Sequence, residues 1–148
     1  MEDHVFSCKR KDGSSTWKHA GYFFMLHDMA HYSVETVLSL KKGFFGMVAA
    51  GTNINDFDLP KEQRNFQLTE EAIFTEQLVN LVVIDHTQGR MENLVEILSS
   101  VHDENLKPDL LQLITEDKLE KIRNTYREMM IQWSNVPLNG FMQLSFEE

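Results

Sequence analysis

The chain begins with two short runs of alternating character, Val5 to Arg10 and Ser15 to Lys18, separated by Lys11-Asp12-Gly13-Ser14. The Asp-Gly pair is a strong turn signal, so this region predicts a β-hairpin. From Tyr22 to Leu40 neither Gly nor Pro interrupts the chain, and Lys41-Lys42-Gly43 then supplies cations and a glycine for a helix end. This predicts the first long helix. The apolar, small-residue stretch Gly43 to Gly51 predicts a short second helix or a tight loop lying close to another element. Asn53 to Lys61 reads as a loop, and Thr69 as the cap of a third helix with Glu70 and Glu71 in its first turn, running to about Ile84. The end of that segment, Leu81 to Ile84, is equally compatible with a buried strand.

Met91, Leu94, Val95, Leu98 and Val101 recur at helical spacing, and Pro108-Asp109 marks a break. Leu119, Ile122, Tyr126, Met129, Met130 and Trp133 define a last helix, which starts at Thr115 or Glu116 and ends before Pro137. After Asn139-Gly140, the run Phe141 to Phe146 alternates as a half-buried strand does. Paired with the hairpin, it predicts a three-stranded antiparallel sheet. The expected fold is α+β, with that small sheet and a bundle of about four to five helices in a single domain spanning residues 1–148.

On the wheel of the first helix, with His27 at zero, His31 lies near 40°, Glu35 near 80° and Asp28 near 100° at about 100° per residue. Phe23, Leu26, Ala30, Val34, Val37 and Leu38 flank this polar wedge on one side, and Met25, Met29, Tyr32 and Leu40 on the other. Titratable groups set into an apolar helix are costly to bury unless they hold a metal, a proton or one another. Residues four apart bring side chains to roughly 5 to 6 Å, so His27 and His31 can share one cation, as paired histidines do in zinc sites. His27 and Glu35 are separated by about 12 Å of rise, so a third ligand is expected from elsewhere, with His86, His102 and Asp85 as candidates. Asp28 or Glu35 would orient an imidazole or take a proton.

Composition narrows the setting. Of 148 residues, 42% are hydrophobic and 25% charged, with a formal charge of -9, which disfavours nucleic-acid binding. The single cysteine, Cys8, excludes an intrachain disulfide and fits a cytoplasmic protein. The acidic start and the lack of a long apolar run argue against a signal peptide or a membrane span. In Gly46 to Gly51, Thr52 stands where a phosphate-binding loop needs lysine, so no nucleotide site is read there. Cys8, the Lys9-Arg10-Lys11 run and the last helix's methionines read as strand, solvated hairpin and core.

The string His27-Asp28-Met29-Ala30-His31 resembles the H-E-x-x-H signature of the zincin peptidases, with Asp28 in place of their glutamate base. That resemblance implies metal-dependent hydrolysis, with His27 and His31 as ligands. The Asp28-x-x-His31 spacing is also similar to the Glu-x-x-His units of di-iron bundles, but no second copy accompanies it. More broadly, Phe23 to Glu35, Gly43 to Gly51 and Phe141 to Phe146 resemble corresponding segments in a group of small uncharacterised bacterial proteins; this implies the architecture and leaves the reaction open. Two functions are therefore expected in competition. One is a hydrolase with a divalent ion, zinc first, on His27, His31 and His86, with Asp28 and Glu35 catalytic and a small-molecule or peptide substrate. The other is a non-catalytic homodimeric binding protein whose polar wedge is a structural hydrogen-bond network.

Overall fold

A computed structural model describes residues 4–101 and 109–147. Strands β1 (His4–Lys9) and β2 (Ser15–Ala20) pair antiparallel, with Ser7 opposite Trp17 and Cys8 opposite Thr16. Gly13 turns the chain at a φ of 89°, and Asp12 Oδ1 accepts hydrogen bonds from the Ser14 amide at 2.8 Å and hydroxyl at 2.6 Å. Among the described residues six α-helices follow: α1 (Tyr22–Val37), α2 (Phe44–Ala49), α3 (Glu70–Gln88), α4 (Leu94–Val101), α5 (Asp109–Gln112) and α6 (Glu116–Ser134). Short 3-10 turns at Ile54–Asp58 and Lys61–Gln63 lie between α2 and α3.

The main core is built around α1, which packs on both α3 and α6. Ala30 and Val34 of α1, with Leu38 just past its end, meet Phe74, Leu78, Val79 and Val82 of α3 and Leu119, Ile122 and Tyr126 of α6, with Leu94 and Leu98 of α4 closing the cluster. Helices α1 and α3 run antiparallel. At one end the Lys42 amide donates to Glu71 Oε2 at 2.6 Å and Thr69 Oγ1 donates to the Lys42 carbonyl. At the other, His86 stacks on Tyr126, whose hydroxyl donates to the Leu26 carbonyl at 2.8 Å. The hairpin rests on α2 and the following turn: Phe6 and Cys8 pack with Phe44, Val48 and Ile54. Arg10 ties the hairpin there by donating to the Val48 and Thr52 carbonyls.

Three expectations need correction. Among the described residues the sheet has two strands, not three, because residues 141–147 form no ladder. Their carbonyls are taken by side chains instead: Tyr32 donates to Ser145 O at 2.5 Å and Lys41 Nζ to Glu147 O at 2.7 Å, while Phe146 lies against Phe45. The alternation of Met142 and Phe146 is thus that of a strap laid over α1 and α2. The helix set exceeds the expected four to five, because α2 and α5, of six and four residues, are separate short helices. Finally, α1 stops at Val37 and the left-handed position is Ser39, at a φ of 55°. Gly43 caps α2 instead. Leu81 to Ile84 belong to α3, which continues to a Gly89 with a φ of 109°. His102 and Pro108 lie outside the described residues. No described helix is long and apolar enough to cross a membrane.

Two outcomes follow for the fold. A Cβ on Gly46 would stand 1.9 Å from the Lys41 carbonyl oxygen, a backbone atom that cannot step aside. Gly46→Ala is expected to cost about 1 to 3 kcal/mol in urea unfolding; an unchanged midpoint would show that α2 does not press on that turn. Burial, with the Asp28 charge nearby, pushes the Cys8 thiol up to about 11. Iodoacetamide labelling of the native chain should still be accelerating between pH 9 and 10, where an ordinary thiol of pKa about 8.5 has levelled off. A plateau near pH 9 would contradict the packing of β1 described above.

Candidate metal centre

The polar wedge of α1 turns toward α3 and α2, and there it meets Glu76, a residue outside the expected set of His86, His102 and Asp85. Glu76, in the second turn of α3, places Oε2 2.8 Å from His31 Nε2 and Oε1 3.2 Å from His27 Nε2. The two imidazoles face each other through the same atoms, Nε2 to Nε2, at 3.2 Å. Among the described residues His27, His31 and Glu76 form a group whose donor atoms converge within 4.8 Å, close enough to hold a metal ion. Ligand atoms at about 2.0 to 2.1 Å around a tetrahedral ion stand about 3.3 Å apart, and these separations approach that value.

The back of the site is set by Glu35, which is 0% exposed. Its Oε2 contacts His31 Nδ1 at 3.0 Å, and its Oε1 accepts the Phe45 amide at 2.9 Å. A carboxylate accepts, so His31 carries its proton on Nδ1 and Nε2 is left to point at Glu76 and His27. Gly43 makes this possible: a Cβ there would come within 2.6 Å of Glu35 Oε1. Phe44, with its ring centroid 5.3 Å from that of His31, forms an apolar wall.

This arrangement poses a definite chemical requirement. With Nδ1 protonated, a neutral His31 presents a lone pair at Nε2, where it faces a carboxylate oxygen and a second imidazole nitrogen. Acceptors meeting in one place repel unless a proton or a cation sits among them. A proton can fill that place: burial opposes charge on His31, but hydrogen bonds to Glu35 and Glu76, and their charges, outweigh it and push the ring up to about 9. Burial also pulls Glu76 upward, yet the bonds to His27 and His31 hold its carboxyl well below the usual range. For Glu35 burial dominates and raises the carboxyl, with His31 and the α2 amides opposing it. The centre is closed at one end and open at the other. The side chain of His31 is 5% exposed, that of His27 24% and that of Glu76 51%.

Of the remaining candidates, Asp28 is buried and paired with Lys18 of β2 at 3.6 Å; its Oδ2 has no hydrogen-bond partner, and burial raises its carboxyl against the pull of Lys18. The expectation that His86 or Asp85 supplies the third ligand is corrected. They stand about 14 to 15 Å further along α3 than Glu76 at 1.5 Å per residue. Asp85 there accepts from Arg123 Nη2 at 2.9 Å and from the Met91 amide at 2.8 Å, and His86 lies flat on Tyr126. A sequence signal for Glu76 does exist: with Ala72, Val79 and Val83 it shares an arc of about 60° on α3, a lone acid on an apolar face.

Glu35→Gln tests the arrangement. The amide has one acceptor where the carboxylate has two, so either the His31 Nδ1 proton or the Phe45 amide is left facing a donor. The variant should lose about 2 to 4 kcal/mol in urea unfolding, and imidazole ¹H–¹⁵N spectra recorded above pH 9, where the ring is neutral, should show His31 leaving the Nδ1-protonated form. Wild-type stability and an unchanged tautomer would remove Glu35 from this role.

No family model, no curated protein and no solved structure matches the chain, so the reading of its function rests on the chemistry of this centre.

Proposed function

We propose that the chain holds a divalent metal ion, zinc first, through His27 Nε2, His31 Nε2 and a Glu76 carboxylate oxygen, and uses it for hydrolysis. The observation that carries this reading is the convergence of three donor atoms, from two separate helices, at 2.8 to 3.3 Å from one another. Two imidazoles and one carboxylate are a ligand set that catalytic zinc accepts while retaining a position for water. Held there, such an ion would bring the pKa of a bound water toward about 7 and would polarise a substrate carbonyl or phosphoryl group.

The chain's own residues supply the rest. Glu35 fixes the His31 tautomer and ring direction, which makes it a positioning residue. Glu76 brings negative charge to the open side, and Phe44 keeps solvent from the back of His31. The competing reading is a proton-held network without catalysis. It is favoured by one observation, the two carboxylates flanking His31, which stabilise an imidazolium without any ion.

Metal content separates the two. Tag-free protein equilibrated with zinc and then desalted should retain about one equivalent by mass spectrometry. His31→Ala and Glu76→Gln should retain less than about a tenth of that, because each removes one of only three protein ligands. Zinc should also raise the melting temperature of the wild type and not of the variants. A wild type that keeps no zinc, cobalt or manganese would overturn the metal reading and leave the proton-held network.

A further inference from the structure

The ligand stripe of α1 continues beyond the metal centre. With His27 at zero on the helix, Phe23 lies near -40° and Phe24 near 60°, one turn or about 5.4 Å toward the N-terminus. Phe24 falls on the face that carries His31 and Glu35, and Phe23 at its apolar edge, in line with Ala30 and Val34. Their exposures extend the gradient already described: Glu35 is wholly buried, His31 nearly so, His27 partly open, and then Phe24 is 53% and Phe23 66% exposed. The two rings touch edge to face, with centroids 6.1 Å apart. Lys18 Nζ, which pairs with Asp28, stands 5.7 Å from the centre of the Phe24 ring on the hairpin side.

This is an unusual way to begin a helix. The first turn favours acidic residues, which complement the exposed amides, yet α1 has none there and presents Tyr22, Phe23 and Phe24. Exposed aromatic clusters of this kind carry a free-energy cost in water and mark places where something docks. Here the patch begins one helical turn from His27, the more open of the two imidazoles of the proposed metal centre. A ligand held at the ion would have its adjoining group over these rings.

Building on the metal reading, we infer that Phe23 and Phe24 form the specificity surface of the centre, and that its substrate carries an aromatic or similarly flat apolar group next to the bond presented to the metal. The occupant is thus a small molecule anchored at the ion. Edge-to-face and stacked contacts with two phenyl rings select a planar apolar group over a polar one of equal size.

Hydroxamates on the cobalt-loaded protein provide the test, with visible absorption of the ion as the readout. Acetohydroxamate probes the ion alone, and benzohydroxamate adds a phenyl group next to the chelating atoms. In the wild type benzohydroxamate should bind about tenfold more tightly, the equivalent of about 1.4 kcal/mol. In Phe23→Ala/Phe24→Ala that preference should fall below about threefold. Both positions are exposed, and acetohydroxamate binding to the variant reports that its centre is folded. A preference that survives in the variant, or none in the wild type while acetohydroxamate binds, overturns this inference and leaves the metal reading standing. Failure of cobalt to bind the wild type removes both. Sedimentation of the same proteins covers a second occupant: a wild-type dimer that dissociates in the variant, without any hydroxamate preference, would assign the aromatic pair to a subunit contact and overturn the inference.

Discussion

The contact between Glu35 and His31 is the constraint on which the centre depends. A carboxylate with no solvent exposure is tolerable only if both of its oxygens are answered, and here one meets an imidazole and the other a backbone amide of α2. That double engagement does two separate things. It joins α1 to the start of α2 through an interaction that neither helix can abandon without stranding a buried charge. It also decides which nitrogen of His31 carries the proton, and therefore which nitrogen is free to face α3. Gly43 belongs to the same unit, since any side chain there would occupy the space of the carboxylate.

The second requirement is register. Helices α1 and α3 are fixed against each other by an apolar seam in which Ala30 and Val34 meet Phe74 and Leu78, and by the polar tie of Lys42 to Thr69 and Glu71 at one end. His27 and His31 precede Ala30 and Val34 by three residues, so the imidazoles occupy the edge of the face that packs. Sliding the helices by a turn would move Glu76 by about 5.4 Å and part the three donor atoms. Core packing and ligand geometry are therefore two consequences of one interface. The antiparallel arrangement also explains why His86 and Asp85 cannot serve: they sit beside the N-terminal end of α1, where they stack on Tyr126 and pair with Arg123.

What was legible in the sequence was local. The hairpin, the cap at Thr69, the extent of α6 and the polar wedge of α1 each follow from patterns a few residues long, and each is in the structure. Glu35 was legible as a polar member of the wedge because helical geometry alone puts it above His31. Glu76 is legible only as a lone acid on an apolar face of α3; its role depends on the register of two helices that no local pattern encodes, and residue type alone favours His86 and Asp85. A glycine after lysines usually marks a helix terminus, whereas Gly43 makes room for the Glu35 side chain. The last segment failed for a related reason. An alternating run records which residues meet an apolar surface, not whether that surface is a strand, and Phe146 meets the ring of Phe45.

The direction of burial along α1 bears on what kind of site this is. A polar network whose only task is to fix helix packing is best satisfied when it is sealed, because its hydrogen bonds strengthen away from water and its members have no need of access. Here the buried end is complete, with Glu35 engaged at both oxygens, while the groups with donor atoms to offer lie progressively toward solvent. The half-exposed Glu76 approaches both imidazoles through their free nitrogens, and the next turn of α1 then gives up the favoured acidic start for exposed aromatic rings. Each of these choices is neutral or unfavourable for stability taken alone. They are consistent with one another if the stripe is a support at its base, a ligand set in its middle and a surface for an incoming molecule at its mouth, because a site that must admit a reactant has to be rigid behind the reacting atoms and open in front of them.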